Sequence, residues 1–156
     1  MSNINTAFKY FDSNRINEKY NFVTTIWLSP DVCSVSAYSV LDKEYIYLAY
    51  FPDFHINVHQ VLIPRFEALF KDNELETVLS QSDRIKIILD EKRFSLIPNA
   101  IYDPKFEKEV FELSNKTIEH ESLQNQSIVA FSHMAIFPVN DIFKDYLTNK
   151  WGDKVI

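Results

Sequence analysis

The chain has 156 residues, 46% of them hydrophobic and 24% charged, with a net charge of -6. This is the balance of a soluble one-domain protein that neither nucleic acid nor an anionic membrane attracts. Glycine occurs once, as Gly152, where ordinary usage predicts about eleven. The shortage excludes a P-loop, a dinucleotide fingerprint and a kinase-type glycine-rich loop, each of which needs backbone that reaches a phosphate with no Cβ in the way.

Residues 1–20 are polar and weakly periodic, and read as an arm or short helix packed on the outside. Phe22 to Leu28 is β-branched and aromatic, and Ser29-Pro30-Asp31 follows as a turn signal. Val32 to Tyr38 alternates, with Cys33, Val35 and Ala37 on one face. After a turn at Leu41–Glu44, Tyr45 to Phe51 forms a third strand, completing an antiparallel meander.

Val58, Val61, Leu62, Phe66, Leu69 and Phe70 line one face of a helix, which Pro64 should kink or restart. A further helical turn or two is expected from Glu74 to Leu79, then strands at Arg84–Asp90 and Arg93–Ile97. Phe106, Val110 and Leu113 mark another helix. Residues 117–121 and 127–131 read as extended, and Met134–Phe137 as a short strand. Pro138 suits the first turn of a last helix carrying Ile142, Phe143, Tyr146 and Leu147. The order βββ-α-β(β)-α-β-α is that of a mixed α/β, ribonuclease-H-like domain, expected over residues 21–150 with a tail at 151–156.

Three stretches carry a resemblance: Leu28-Ser29-Pro30-Asp31, Arg84 to Asp90 followed by Phe94-Ser95-Leu96-Ile97-Pro98, and Ala135-Ile136-Phe137-Pro138-Val139. Together they resemble a bacteroidete family, domain of unknown function 3822, over roughly residues 20 to 148. The resemblance implies a two-lobed actin-like ATPase fold built from ribonuclease-H-like lobes. It also implies that this chain corresponds to the N-terminal lobe, with the second lobe absent, separately encoded or cut away.

Against that resemblance, ATP chemistry needs an Asp and a Gly at the first hairpin, so that amides hold phosphate and the carboxylate positions hydrated Mg²⁺. Asp31 and Ser34 stand there and Asp90 would face the same cleft, but Pro30 has no amide hydrogen and no glycine is present. Two-metal nuclease chemistry needs three placed acids. Glu67 and Asp90 suit two of them, and the first strand contains none.

His55 and His59 are four apart with Asp53 nearby, a weak metal pattern that lacks the Glu of a zinc protease because Ile56 follows His55. His120 and His133 read as structural. Cys33 is the sole cysteine; it reads as a small buried hydrophobe and permits no intramolecular disulfide. Tyr45, Tyr47 and Phe51 are expected on one strand face with Tyr38 nearby. Lys43 is the one cation close by, so this face suits protein contact better than nucleic acid.

Residues 1–5 lack the basic patch and apolar run of a leader, and no apolar stretch approaches the ~20 residues that cross a bilayer. A cytoplasmic location is therefore expected. The residues point first to a noncatalytic domain without a cofactor, working through a protein partner or as a homo-oligomer. The alternative is a nucleotide-binding half that uses Mg-ATP and is completed in trans.

Overall fold

The computed structural model describes residues 6–16, 21–55 and 59–156, the side chains of residues 16 and 59–61 excepted. The chain divides into two compact units, Met1–Asp90 with Tyr146–Ile156 and Glu91–Asp145, where the sequence suggests one domain from 21 to 150. The link out of the first unit runs through the charged stretch Asp90-Glu91-Lys92-Arg93.

The first unit contains β1 (Phe8–Phe11), α1 (Ser13–Ile16), β2 (Phe22–Leu28), β3 (Cys33–Ser39), β4 (Glu44–Phe51), α2 (His59–Leu69), α3 (Asn73–Gln81) and β5 (Arg84–Leu89). Its sheet has the order β1-β4-β3-β2-β5. The meander β2-β3-β4 is antiparallel, and the crossover through α2 and α3 returns β5 parallel to β2. The expected arm is thus an edge strand in part: β1 pairs antiparallel with β4. The expected tail is bound too. Val155 bridges to Ile85 in parallel, the Ile156 amide donates to the Ile85 carbonyl at 3.0 Å, and the Ile87 amide donates to the Ile156 carbonyl at 3.1 Å.

Alternation decides which side of this sheet is the core. Phe22, Thr24, Ile26 and Leu28 of β2 are buried, as are Cys33, Val35, Ala37 and Ser39 of β3. Helix α3 packs on this inner side, where Thr24 Oγ1 and Ser82 Oγ share a buried hydrogen bond of 2.6 Å. Asp72 caps α3 by accepting from the amides of Glu74 and Leu75, and Lys9 of β1 pairs with Asp72 at 2.6 Å. Pro64 lies inside α2, which runs unbroken from His59 to Leu69.

Helix α5 (Asp141–Trp151) starts in the second unit and ends in the first. There Tyr146 and Trp151 meet Phe66 edge-on, with centroids 6.2 and 5.8 Å away, and Lys150 Nζ sits 4.2 Å over the Phe70 ring.

The second unit holds β6 (Ser95–Pro98), α4 (Glu107–Glu112), β7 (Glu121–Ile128) and β8 (His133–Asn140), an antiparallel sheet ordered β6-β8-β7. Ile97, Phe111 and Ile136 form its core, with Tyr102, Val110 and Leu123 around them. The Arg93 guanidinium is gripped by two acids, Glu91 at 2.8 Å and Glu121 at 2.7 Å, and the Glu121 side chain is 2% exposed.

Several sequence expectations are corrected here. Residues 121–128 are the strand rather than 117–121 and 127–131, with a 3-10 turn at Val129–Phe131. Pro138 does not open a helix. It lies in β8 opposite Leu123, past the stretch that pairs with β6, and the Asn140 side chain accepts from the Phe143 amide in the first turn of α5. Among the described residues, no helix is long and apolar enough to cross a membrane.

Candidate functional site

Two regions of the first unit gather the residues singled out by the sequence. At one end of the sheet, strands β2, β4 and β5 run in the same direction and all finish. The loops that follow them hold Ser29–Val32, Pro52–His55 and Asp90. This is where open α/β sheets place ligand sites. The Asp90 amide donates to the Leu28 carbonyl at 2.8 Å, which brings Asp90 to the same end as Asp31. The amides of Phe54 and His55 donate to the Asp31 carbonyl at 2.9 and 3.5 Å. His55, at φ +43°, holds Nδ1 3.5 Å from the Asp31 carboxylate and Nε2 4.0 Å from that of Asp53.

The hairpin is closed on itself. The Ser29 amide donates to the Val32 carbonyl at 2.9 Å, and the Val32 amide donates to Ser29 Oγ at 3.3 Å. Pro30 has no amide hydrogen, so among these four residues the Asp31 amide alone is left to face an anion. Ser34 lies outside the loop, in β3, paired to Trp27 on one side and Tyr50 on the other. The end of the sheet therefore unites Asp31 and Asp90 with His55 and Asp53, while Ser34 sits on a sheet face. His55 is in a loop, so the four-residue spacing to His59 is not realised on one helix; the His59 side chain lies outside the described residues. Among the described residues no three His, Cys, Asp or Glu side chains gather as metal ligands would.

The second region is the outer face of the sheet. Phe8 and Tyr10 of β1, Tyr50 and Tyr45 of β4, Trp27 of β2 and Ile88 of β5 are each between 38% and 56% exposed. Tyr38 and Tyr45 meet edge-on at 5.2 Å. Two of the four aromatics expected here are not on this face. Tyr47 and Phe51 are 0% and 3% exposed and belong to the core. The ladder slips between Ala37 and Tyr38, where Ile46 is the extra residue of a bulge in β4, and this sends Tyr45 and Tyr47 to opposite sides. Phe8, Tyr10, Trp27, Tyr50 and Ile88 were not singled out by sequence. The signal for Trp27 was its alternation with the buried Ile26 and Leu28; the others needed the pairing.

In the second unit a shallow pocket of about 410 Å³ is lined by residues that include Lys105, Lys108, Thr117 and Glu121. Its acids are engaged. Glu121 holds Arg93, and Glu107 accepts from the Tyr102 hydroxyl and from Asn125 at 2.7 Å.

Comparison with known proteins sets these regions in context. The family model described as "Protein of unknown function (DUF3822)" matches residues 12–156. Among solved structures the chain matches a crystal structure from Bacteroides thetaiotaomicron VPI-5482, a "protein with actin-like ATPase fold and unknown function". The TM-score is 0.73 and the identity 18%, over 88% of this chain and 52% of that one. The chain thus has the actin-like ATPase fold and spans about half the length of that protein. No curated protein matches it.

Proposed function

We infer a role in protein–protein contact for this chain, which belongs to the DUF3822 family and has the actin-like ATPase fold. The observation that carries this reading is the open outer face of the first unit's sheet, where six large apolar side chains from four strands stand partly in solvent. A contiguous apolar patch on a domain surface is the ordinary mark of a binding face, and Tyr and Trp enrich interface cores. The hairpin that would hold phosphate offers one free amide and no glycine. That argues for a noncatalytic domain that acts through self-association or a protein partner.

Sedimentation of the full chain and of Tyr50→Asp reads self-association, which the added charge should abolish. A photo-reactive residue at position 50, with position 113 as control, reads a separate partner in an extract of the native host; Leu113 is 82% exposed and lies in the other unit. Adducts confined to position 50 are expected. A monomeric wild-type chain with no adduct at either position would overturn the reading.

One observation favours a second reading. Asp31 and Asp90 end up at the same end of the sheet, as a nucleotide-binding half of an actin-like ATPase completed in trans would require. Thermal unfolding with Mg-ATP separates the two. Ligand at 100 times its dissociation constant adds about 2.7 kcal/mol, a shift of several degrees. If nucleotide binds, Asp31→Asn should erase that shift with no loss of unliganded stability.

A further inference from the structure

The second unit carries an open strand edge whose register selects its occupant. β7 is the last strand of the order β6-β8-β7. Opposed residues of an antiparallel pair alternate between exchanging both backbone bonds and exchanging none. The Asp141 amide donates to the His120 carbonyl at 2.8 Å, and this pair continues the β7–β8 register. Ser122, Gln124, Gln126 and Ile128 therefore bond to β8, while Leu123, Asn125 and Ser127 turn their amides and carbonyls away from it. Pro138 agrees, since it stands opposite Leu123 with no amide to exchange. Among the described residues, no other backbone bond reaches these outward groups. Glu121 also points outward, but its amide donates to the Ile118 carbonyl at 3.2 Å, so the chain itself covers that end.

The other edges are guarded in the ways that keep sheets from pairing with one another. β1 is four residues long and contains Lys9, β6 is four residues long and ends on Pro98, and β5 is bonded by Val155 and Ile156. β7 is eight residues long, and from Ser122 to Ile128 it has neither a charge nor a proline.

The outward groups are symmetric about Asn125. Laid antiparallel on itself across a two-fold axis there, the edge sets Asn125 against Asn125 and Leu123 against Ser127, each pair exchanging both bonds. No other two-fold register pairs all of these residues with one another. Gln124 then meets Gln126, so no like charges face each other. Val129 of each copy falls opposite Glu121, beside Ile118 of the other, and both apolar residues are exposed in the single chain. The edge offers a foreign strand no charge to select it, whereas it matches itself group for group.

We propose that β7 pairs antiparallel with β7 of a second copy across a two-fold axis at Asn125, joining two three-stranded sheets into one. This contact is separate from the outer face of the first unit. It is small, of the size of transient encounters, so it is read by trapping rather than by mass.

The test uses the full chain with Cys33→Ala and Tyr50→Asp, which removes the native thiol and disables the outer face. Single cysteines replace Asn125, Gln126 or Ser127, all of them exposed, and oxidised glutathione drives disulfide formation. Opposed Cα atoms of a bonded pair stand about 5.5 Å apart, within reach of a disulfide, whereas positions 126 and 127 meet their own copies at about 8 Å or more. Asn125→Cys should therefore form disulfide dimers at least tenfold faster than Gln126→Cys or Ser127→Cys. In the Asn125→Cys chain, Ser127→Pro removes an outward amide and should slow trapping at least tenfold. Gln124→Lys with Gln126→Lys opposes like charges and should slow it too, while Gln124→Lys with Gln126→Glu should restore it. The lysine and glutamate chains decide the question if the proline chain loses its native circular dichroism. Equal rates at the three positions, no dimer at any of them, trapping that survives a folded proline chain or the lysine pair, or a lysine effect that Glu does not rescue would overturn the proposal. The reading of the outer face stands or falls separately, on position 50.

Discussion

Replacing Tyr47 by Phe should make the protein more stable. Tyr47 is 0% exposed and its hydroxyl is buried with no hydrogen-bond partner among the described residues, while its ring meets Phe11 edge-on at 6.1 Å. Burying a hydroxyl unpaired costs about 1–3 kcal/mol. Phe keeps the ring contact and removes that cost, so a gain of about 1–2 kcal/mol follows, less a small term for the void left by one oxygen. For a chain of this size, about 2–4 °C accompany each kcal/mol, so the unfolding midpoint of the first unit should rise by about 2–8 °C. Tyr45→Phe, at an exposed position, should stay within about 0.5 kcal/mol of wild type.

A second arm varies pH. Burial, with smaller contributions from Asp72 and Glu74, pushes the Tyr47 phenol well above its ordinary value. The folded state therefore holds this proton more tightly than the unfolded chain, and wild type loses stability as pH climbs above the ordinary phenol value near 10. The advantage of the Phe variant should widen over that range. Circular dichroism melts at pH 7.5 and pH 10.5 measure both arms. A lowered midpoint, or an advantage that does not grow with pH, would refute the reasoning and give the hydroxyl a partner.

Two further outcomes follow from buried groups elsewhere. Burial pushes the Cys33 thiol up to about 12. The stability linked to its proton is complete below the ordinary thiol value near 9 and is lost as pH rises toward 12, by at most about 1.4 kcal/mol per pH unit. Cys33→Ala should flatten the denaturation midpoint against pH across that window; an unchanged slope would place the thiol in contact with water. Glu121→Gln should destabilise the second unit by about 2–3 kcal/mol, because it removes the buried negative charge and leaves Glu91 as the one acid on the half-buried Arg93 fork. Amide exchange should accelerate across Glu91–Asp145, and a uniform change over the whole chain would count against a local effect.

The meander is legible from the β-branched and aromatic run of β2 and the turn signals after it, and the inner face of β3 from its period of two, which puts Cys33, Val35 and Ala37 together. Tyr47 and Phe51 were misplaced because a single bulge breaks that period, and a bulge is set by the partner strand rather than by its own residues. β1 reads as an arm because residues 1–20 are polar and weakly periodic, and only pairing with β4 makes Phe8–Phe11 a strand. Local signals name a strand but not its neighbour, so the sequence shows β6 after β5 without showing that it pairs with β8 in a second sheet. At the candidate site, the sequence named Asp31, Asp90 and Tyr45. Trp27 and Tyr50 come together on the outer face through register, which is non-local.

The pairing of Ile156 with Ile85 and Ile87 also has a bearing on how the two units share their fates. The residues that finish the edge of the first sheet arrive only after the whole second unit has been synthesised. That stretch acts as a tether across the closing step: about 55 residues when unfolded, and effectively far shorter once it has folded. Closure entropy grows as (3/2)RT ln n, so a tenfold shorter effective tether lowers the cost by about 2 kcal/mol. Folding of the second unit would then tighten the edge of the first through the connectivity of the chain alone. A substitution such as Glu121→Gln should accordingly register as faster exchange at the Ile87 amide, well away from the altered side chain in sequence.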